Sequence, residues 1–107
     1  MEKPLNDLAL VVKEVNLGNG WNVLQPHEWQ EMKYKVPAIL MLIVSECAEA
    51  LEGFRNGDWD NFKEEIADIQ IRVLDLAGGL EIDLDEEVAK KLEKNRERGH
   101  RHGGKRV

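Results

Sequence analysis

Cysteine is nearly missing from this chain. Cys47 stands alone, so no internal disulfide can form, and a reducing cytosol is the expected setting. A membrane-spanning run is missing too: the apolar stretch Ile39-Leu40-Met41-Leu42-Ile43-Val44 is far shorter than the roughly 20 residues a bilayer requires. Glu2, Asp7 and Glu14 interrupt the N-terminal stretch, so no secretory leader is expected. No window shows the alternation of apolar and polar residues that marks a strand, and no repeat or low-complexity tract is visible. These absences leave an all-α fold as the expected class.

What is present is ordinary for a soluble helical domain: 107 residues, 42% apolar and 34% charged. That length predicts one domain, residues 1–107, hiding roughly 65% of its unfolded surface on folding. So thin a core favours assembly into oligomers. The net charge of −6 is unevenly spread. Residues 1–88 carry 7 Lys+Arg against 19 Asp+Glu, a balance of −12, and residues 89–107 carry 8 against 2, a balance of +6. An acidic body with a basic end suits a protein that holds cations at one place and an anion at another, although a solvated helical surface has the same charges.

Four helical patterns can be read, suggesting an antiparallel bundle of about four helices that oligomerises through helix faces. The first runs from about Leu5 to Val15, with Leu5, Leu8, Val12 and Val15 at helical spacing after Pro4. Residues 18–36 are irregular, broken by Gly18, Gly20 and Pro26, with a short helical turn expected between Pro26 and Tyr34. The second long helix starts near Pro37 and reaches Phe54 or Arg55, where Asn56-Gly57-Asp58 stops it. The third begins after Asp58 or Asp60, carries the stripe Phe62, Ile66, Ile69, Val73 and Leu76, and ends at Gly78-Gly79. The fourth opens at Asp83 with Glu86 in capping-box spacing and runs to about Arg98, burying Leu84, Val88 and Leu92.

The acidic residues of the second and third long helices are the chemical signal. Ile39, Leu42, Ile43, Cys47, Ala50, Leu51 and Phe54 should face the core, with Cys47 a small buried residue. Glu46 and Glu49 fall in or beside that stripe, where a helix without a special task would place no glutamate. Glu65 and Asp68 repeat the pattern beside Phe62, Ile66 and Ile69. One acidic pair at i,i+3 says almost nothing; two pairs on consecutive helices, both flanking the core, say more. Brought together, each like-charged contact at 4 Å costs about 4 kcal/mol at an effective dielectric near 20. Such a cluster takes up protons or binds cations, and an all-oxygen set without His or Cys suits Mg²⁺, with Mn²⁺ a substitute. Glu52, Glu64, Asp75 and Glu81 are read as solvated, and Arg72 as a brace for Asp68 or a surface partner.

Ser45-Glu46-Cys47-Ala48-Glu49 and Glu64-Glu65-Ile66-Ala67-Asp68 resemble the paired ExxE and ExxD motifs of the MazG-like proteins. These are members of the all-α nucleoside triphosphate pyrophosphohydrolase superfamily, with the dimeric dUTPases and the phosphoribosyl-ATP pyrophosphohydrolases. Lys91-Leu92-Glu93-Lys94-Asn95-Arg96-Glu97-Arg98 is similar to their K-x3-N-x2-R element near substrate phosphates, and His102-Gly103-Gly104-Lys105 to the tail of short members. The likeness covers roughly residues 37–107. It departs at Ser45, where many members carry a further glutamate, which leaves the number of metal ions open. The resemblance implies hydrolysis of a nucleoside triphosphate, a dNTP or non-canonical NTP, between the α and β phosphates, by an oligomer of two or four helical subunits. It also implies that Glu46, Glu49, Glu65 and Asp68 hold Mg²⁺ and do the catalysis, leaving open which one orients the water.

Lys91, Asn95 and Arg98 share one helix face and are expected to meet the phosphates, although a basic helix end is also favoured by the macrodipole alone. For the base an aromatic platform is wanted; Trp21, Trp29, Tyr34 and Trp59 each read first as core or interface residues, and Trp21 and Trp29 are the better candidates for a platform. His27 reads as a surface residue, and His100 and His102 belong to a basic tail, residues 99–107. The alternative on the same scaffold is a non-catalytic nucleotide or metal sensor, supported only by Ser45. A nucleic-acid-binding module is disfavoured by the acidic body, and a di-iron bundle by the absence of Glu-x-x-His pairs.

Overall fold

The computed structural model describes residues 2–31 and 33–98. Among them are five helices: α1 (Pro4–Gly18), α2 (Glu28–Glu31), α3 (Lys35–Arg55), α4 (Trp59–Gly79) and α5 (Leu84–Glu97), with no strand. The expected short turn is α2, and the four long patterns are the other helices. The basic tail, with His100 and His102, lies outside the described residues. No described helix is long and apolar enough to cross a membrane.

α3 and α4 form a tight hairpin. Gly57, at φ 65°, turns the chain in a conformation that favours glycine. Asp58 then caps α4 by accepting from the Asn61 amide at 3.0 Å. The hairpin is antiparallel, with Gly53 against Asn61 and Phe62 at one end and Glu46 reaching Arg72 further along.

α1 packs on the second half of α4, also antiparallel. Ala9 meets Gly78, and Asn16 reaches Asp75. Ala9, Val12 and Leu74 are buried there, with Leu84 packed against them. The Gly78-Gly79 pair does end α4, but its greater value lies in close approach. A Cβ on Gly79 would stand 2.7 Å from the Leu24 carbonyl oxygen, and Leu24 is the most deeply buried side chain described. The left-handed residue that leaves the helix is Glu81, at φ 57°.

α1 and α5 cap one another's N-termini. Asp85 accepts from the Leu5 and Asn6 amides at 3.1 and 2.8 Å, and Asn6 Oδ1 accepts from the Leu84 amide at 2.9 Å. Asn6 also donates to Asp83, which binds Lys3 at 2.6 Å and caps its own helix by accepting from the Glu86 amide. These bonds satisfy amides that the first turns of two helices leave without partners.

The expected core faces need correction. Of the α3 stripe, Ile39, Ile43 and Ala50 turn inward, while Leu42, Leu51 and Phe54 are exposed, as is Cys47. Among the described residues α4 is the main neighbour of α3, and along their seam the row Ile39, Ile43, Glu46, Ala50 and Gly53 is the covered one, while at the start of α3 Lys35 binds Glu28 of α2. In α1, Ala9, Val12 and Asn16 are buried, and Leu8 and Val15 are exposed. In α4, Ile66 is exposed and Leu74 and Ala77 are buried instead. α5 has no buried residue: only its first turn reaches the body, so Val88 and Leu92 lie exposed.

Candidate metal centre

The row of α3 that faces α4 carries Glu46 among apolar neighbours, with Glu49 at its edge, and α4 answers with Glu65. One carboxylate oxygen each from Glu46, Glu49 and Glu65 lies within 4.8 Å of the others. Asp68, one turn beyond Glu65, lines a cavity of about 270 Å³ beside this cluster, together with Glu46. Consecutive packed helices therefore bring Glu46, Glu49 and Glu65 together, while Asp68 lies outside that cluster and lines the adjacent cavity.

The electrostatics are those of a site short of positive charge. Arg72 is the counter-ion, and it bonds Glu46 Oε1 across the hairpin at 3.3 Å, not Asp68 on its own helix. Burial above all, then the approach of Glu46 and Glu49, pushes the Glu65 carboxyl up to about 7, and the charge of Asp68 adds to the effect. Glu65 Oε2 is buried without a hydrogen-bond partner. A shared proton or a cation between the three carboxylates would satisfy it. The donors are all oxygen, which fits a hard divalent ion, and an orphaned buried oxygen is what such an ion would fill.

The cavity extends from the cluster toward α1. Its walls are Glu46, Asp68 and Arg72 at one end and Asn16, Trp21 and Asp75 at the other, with Ile71 between. Asn16 is buried and donates to Asp75 Oδ1 at 2.8 Å. The Trp21 amide donates to the Asn16 carbonyl at 2.9 Å, once Gly20 at φ 76° has turned the chain back after α1. The expected reading of Asp75 as a solvated residue is thus corrected: it is half-buried and faces this cavity. Its signal was present in the spacing, since Asp68, Ile71, Arg72 and Asp75 fall on one face of α4. Asn16, at the end of α1, carried no such signal.

The other expected residues lie elsewhere. Trp29 is exposed on α2 and lines no part of this cavity. Lys91, Asn95 and Arg98 are exposed at the far end of α5, which packs against α1, and α5 contributes no residue to the cavity. His27 lies on the surface, 3.9 Å from Glu31. A second cavity of about 400 Å³ sits at the α3–α4 turn, lined by Gly53, Phe54, Gly57, Asp58, Trp59 and Phe62. Trp59 stacks on Phe62 there, under Lys63. Its only carboxylate, Asp58, is occupied as a helix cap, so the acidic chemistry belongs to the smaller cavity.

The model of the MazG nucleotide pyrophosphohydrolase domain matches residues 35–103, from the first residue of α3 through α5 and beyond. No curated protein and no solved structure matches the chain.

Proposed function

Because this chain belongs to the MazG nucleotide pyrophosphohydrolase domain family, we propose that it hydrolyses a nucleoside triphosphate to the monophosphate and pyrophosphate, using Mg²⁺. The convergence of Glu46, Glu49 and Glu65 around an unpartnered buried oxygen is the observation that carries this reading. These three, with Asp68, are the residues we assign to the metal. Mg²⁺ bound there supplies neutralising charge to phosphate oxygens and lowers the pKa of a coordinated water.

The chain's own groups do the rest. Any of the carboxylates not engaged with the ion can accept a proton from the attacking water, and Glu49, the most exposed of the three, is the best placed for it. Arg72, which lines the cavity beside Glu46, is a cation that would meet a phosphate oxygen there. Trp21 offers a stacking wall for the base. The basic row Lys91, Asn95 and Arg98 would meet the triphosphate only from a neighbouring subunit or after a movement of α5.

A homo-oligomer is part of this reading. Leu40, Met41, Val44 and Phe54 on α3, and Val88 and Leu92 on α5, are exposed apolar residues of a kind that a second copy would cover. The single cysteine suits a reducing cytoplasm, and residues 1–107 act as one domain.

The test is pyrophosphate release by the purified full chain with Mg²⁺, on a panel of ordinary and modified triphosphates, with the mass checked by light scattering. Release of pyrophosphate and the matching monophosphate from some member supports the reading. Silence across the whole panel sinks it.

A further inference from the structure

The cavity beside the acidic cluster has a polar end that the phosphate chemistry does not use. Asp68 and Asp75 are two helical turns apart on one face of α4, which separates them by about 10 Å. If phosphates occupy the Glu46–Asp68 end, the base of the same nucleotide reaches Asn16, Trp21 and Asp75. This step rests on the pyrophosphohydrolase reading.

That end has a definite hydrogen-bonding character. One of the two N–H groups of the Asn16 amide donates to Asp75 Oδ1, at 2.8 Å, and holds that carboxylate in place. Asp75 Oδ2 has no hydrogen-bond partner among the described residues, and an ionised carboxylate can only accept. Asn16 is 93% buried where α1 meets α4, so the carboxylate it holds is anchored from inside the fold. The bond from the Trp21 amide to the Asn16 carbonyl holds the Trp21 backbone next to Asn16, and Trp21 lines the cavity there. The far end of the cavity therefore carries the accepting carboxylate of Asp75, with Trp21 and Ile71 among its other lining residues.

We propose that Asp75, set by Asn16, selects nucleotides whose base carries an exocyclic amino group in place of a carbonyl oxygen. Cytosine and adenine present an N–H₂ donor where uracil and hypoxanthine present a carbonyl oxygen. A donor meets Asp75 with a charge-assisted bond; a carbonyl oxygen meets it as a repulsion. Stacking on Trp21 serves all four bases alike and does not discriminate.

The experiment uses two minimal pairs, dCTP against dUTP and dATP against dITP, with the full chain and Mg²⁺. The amino member of each pair is expected to lead in kcat/KM by about tenfold to a hundredfold, the range of a charge-assisted hydrogen bond. Asp75→Asn keeps an oxygen for Asn16 and can turn a nitrogen toward the base, so it should erase or invert the preference while retaining turnover of the carbonyl members. Equal kcat/KM within both wild-type pairs overturns the proposal. So does an Asp75→Asn variant that loses all four substrates in proportion, because that places Asp75 with the phosphates. Calorimetric binding of the α,β-imido analogues of dCTP and dUTP separates this from the activity itself. A binding preference with no turnover of any triphosphate in the wider panel leaves the selection standing and refutes the hydrolase reading, and binding without preference, or no binding of either analogue, refutes the selection.

Discussion

Asp83 and Asp85, where α1 meets α5, are surrounded by donors: Lys3, Asn6 and the first amides of two helices. Glu46, Glu49 and Glu65, on the α3–α4 seam, face one another with Arg72 as their cation. The same chemical group therefore moves in opposite directions in one small molecule. Lys3, then Asn6 and the Glu86 amide hold the Asp83 carboxyl well below the usual range, while burial and neighbouring carboxylates raise Glu65 to about 7. Carboxylates with donors hold the fold together. Carboxylates crowded together with too few donors are a cost to the fold, and a perturbed cluster of that kind marks a candidate functional site.

The largest test of that contrast is activity. Glu49→Gln and Asp68→Asn should each lower kcat for pyrophosphate release by about 100- to 1000-fold, the scale of losing one electrostatic group from a site of this kind. The circular-dichroism melting temperature without metal should stay level or rise, since each change removes a negative charge from a crowded place. A variant that loses its fold along with its activity would make the cluster structural, like the corner.

Acidity sharpens the contrast further. A carboxyl raised in the folded state to about 7, from an ordinary 4.5, makes the folded protein bind more protons than the unfolded chain across that interval. Stability without metal then increases as pH falls from about 7 toward 4.5 and is lost as pH rises through the same window. Asp83 acts in the opposite sense: lowered from 3.8, it stabilises above that value and its contribution is lost as pH falls below it. Melting curves in EDTA should therefore peak between these two limits. Millimolar Mg²⁺ should raise the melting temperature at pH 8 more than at pH 5, because metal competes with protons for the cluster. A Mg²⁺ effect independent of pH would separate the ion from Glu65.

Much of this was legible in the chain, and the exceptions share a cause. The stops at Asn56-Gly57-Asp58 and Gly78-Gly79 and the cap at Asp83 are local signals, and α3, α4 and α5 begin and end near them. The acidic seam was legible because glutamates beside an apolar stripe contradict helical amphipathicity. The covered side of each helix was not. α3 is apolar around much of its circumference, so its periodicity could not show that α4 would cover Ile39 and Ile43 and leave Leu42, Leu51 and Cys47 outside. Nor could a helix-end asparagine announce itself as the buried partner of Asp75. Asn6 and Asp85 are nearly the whole chain apart, and their exchange of caps depends on a packing that no window contains.

That exchange gives the smallest expected effect. Asp85→Ala removes the acceptor for the Leu5 and Asn6 amides, and α1 has no capping side chain of its own at Lys3. The loss should be about 1 kcal/mol of stability, as for other helix caps, read as a lower denaturation midpoint in urea. Pyrophosphate release at low temperature should be unchanged, because the corner supplies no donor or acceptor to the cavity. Asp85→Asn should recover part of the loss, since its side-chain oxygen can still accept one amide, though without the charge that favours a helix N-terminus. If Asp85→Ala instead weakened catalysis as strongly as Glu49→Gln, the two groups of carboxylates would be energetically coupled, and the division between a holding corner and a working seam would be wrong.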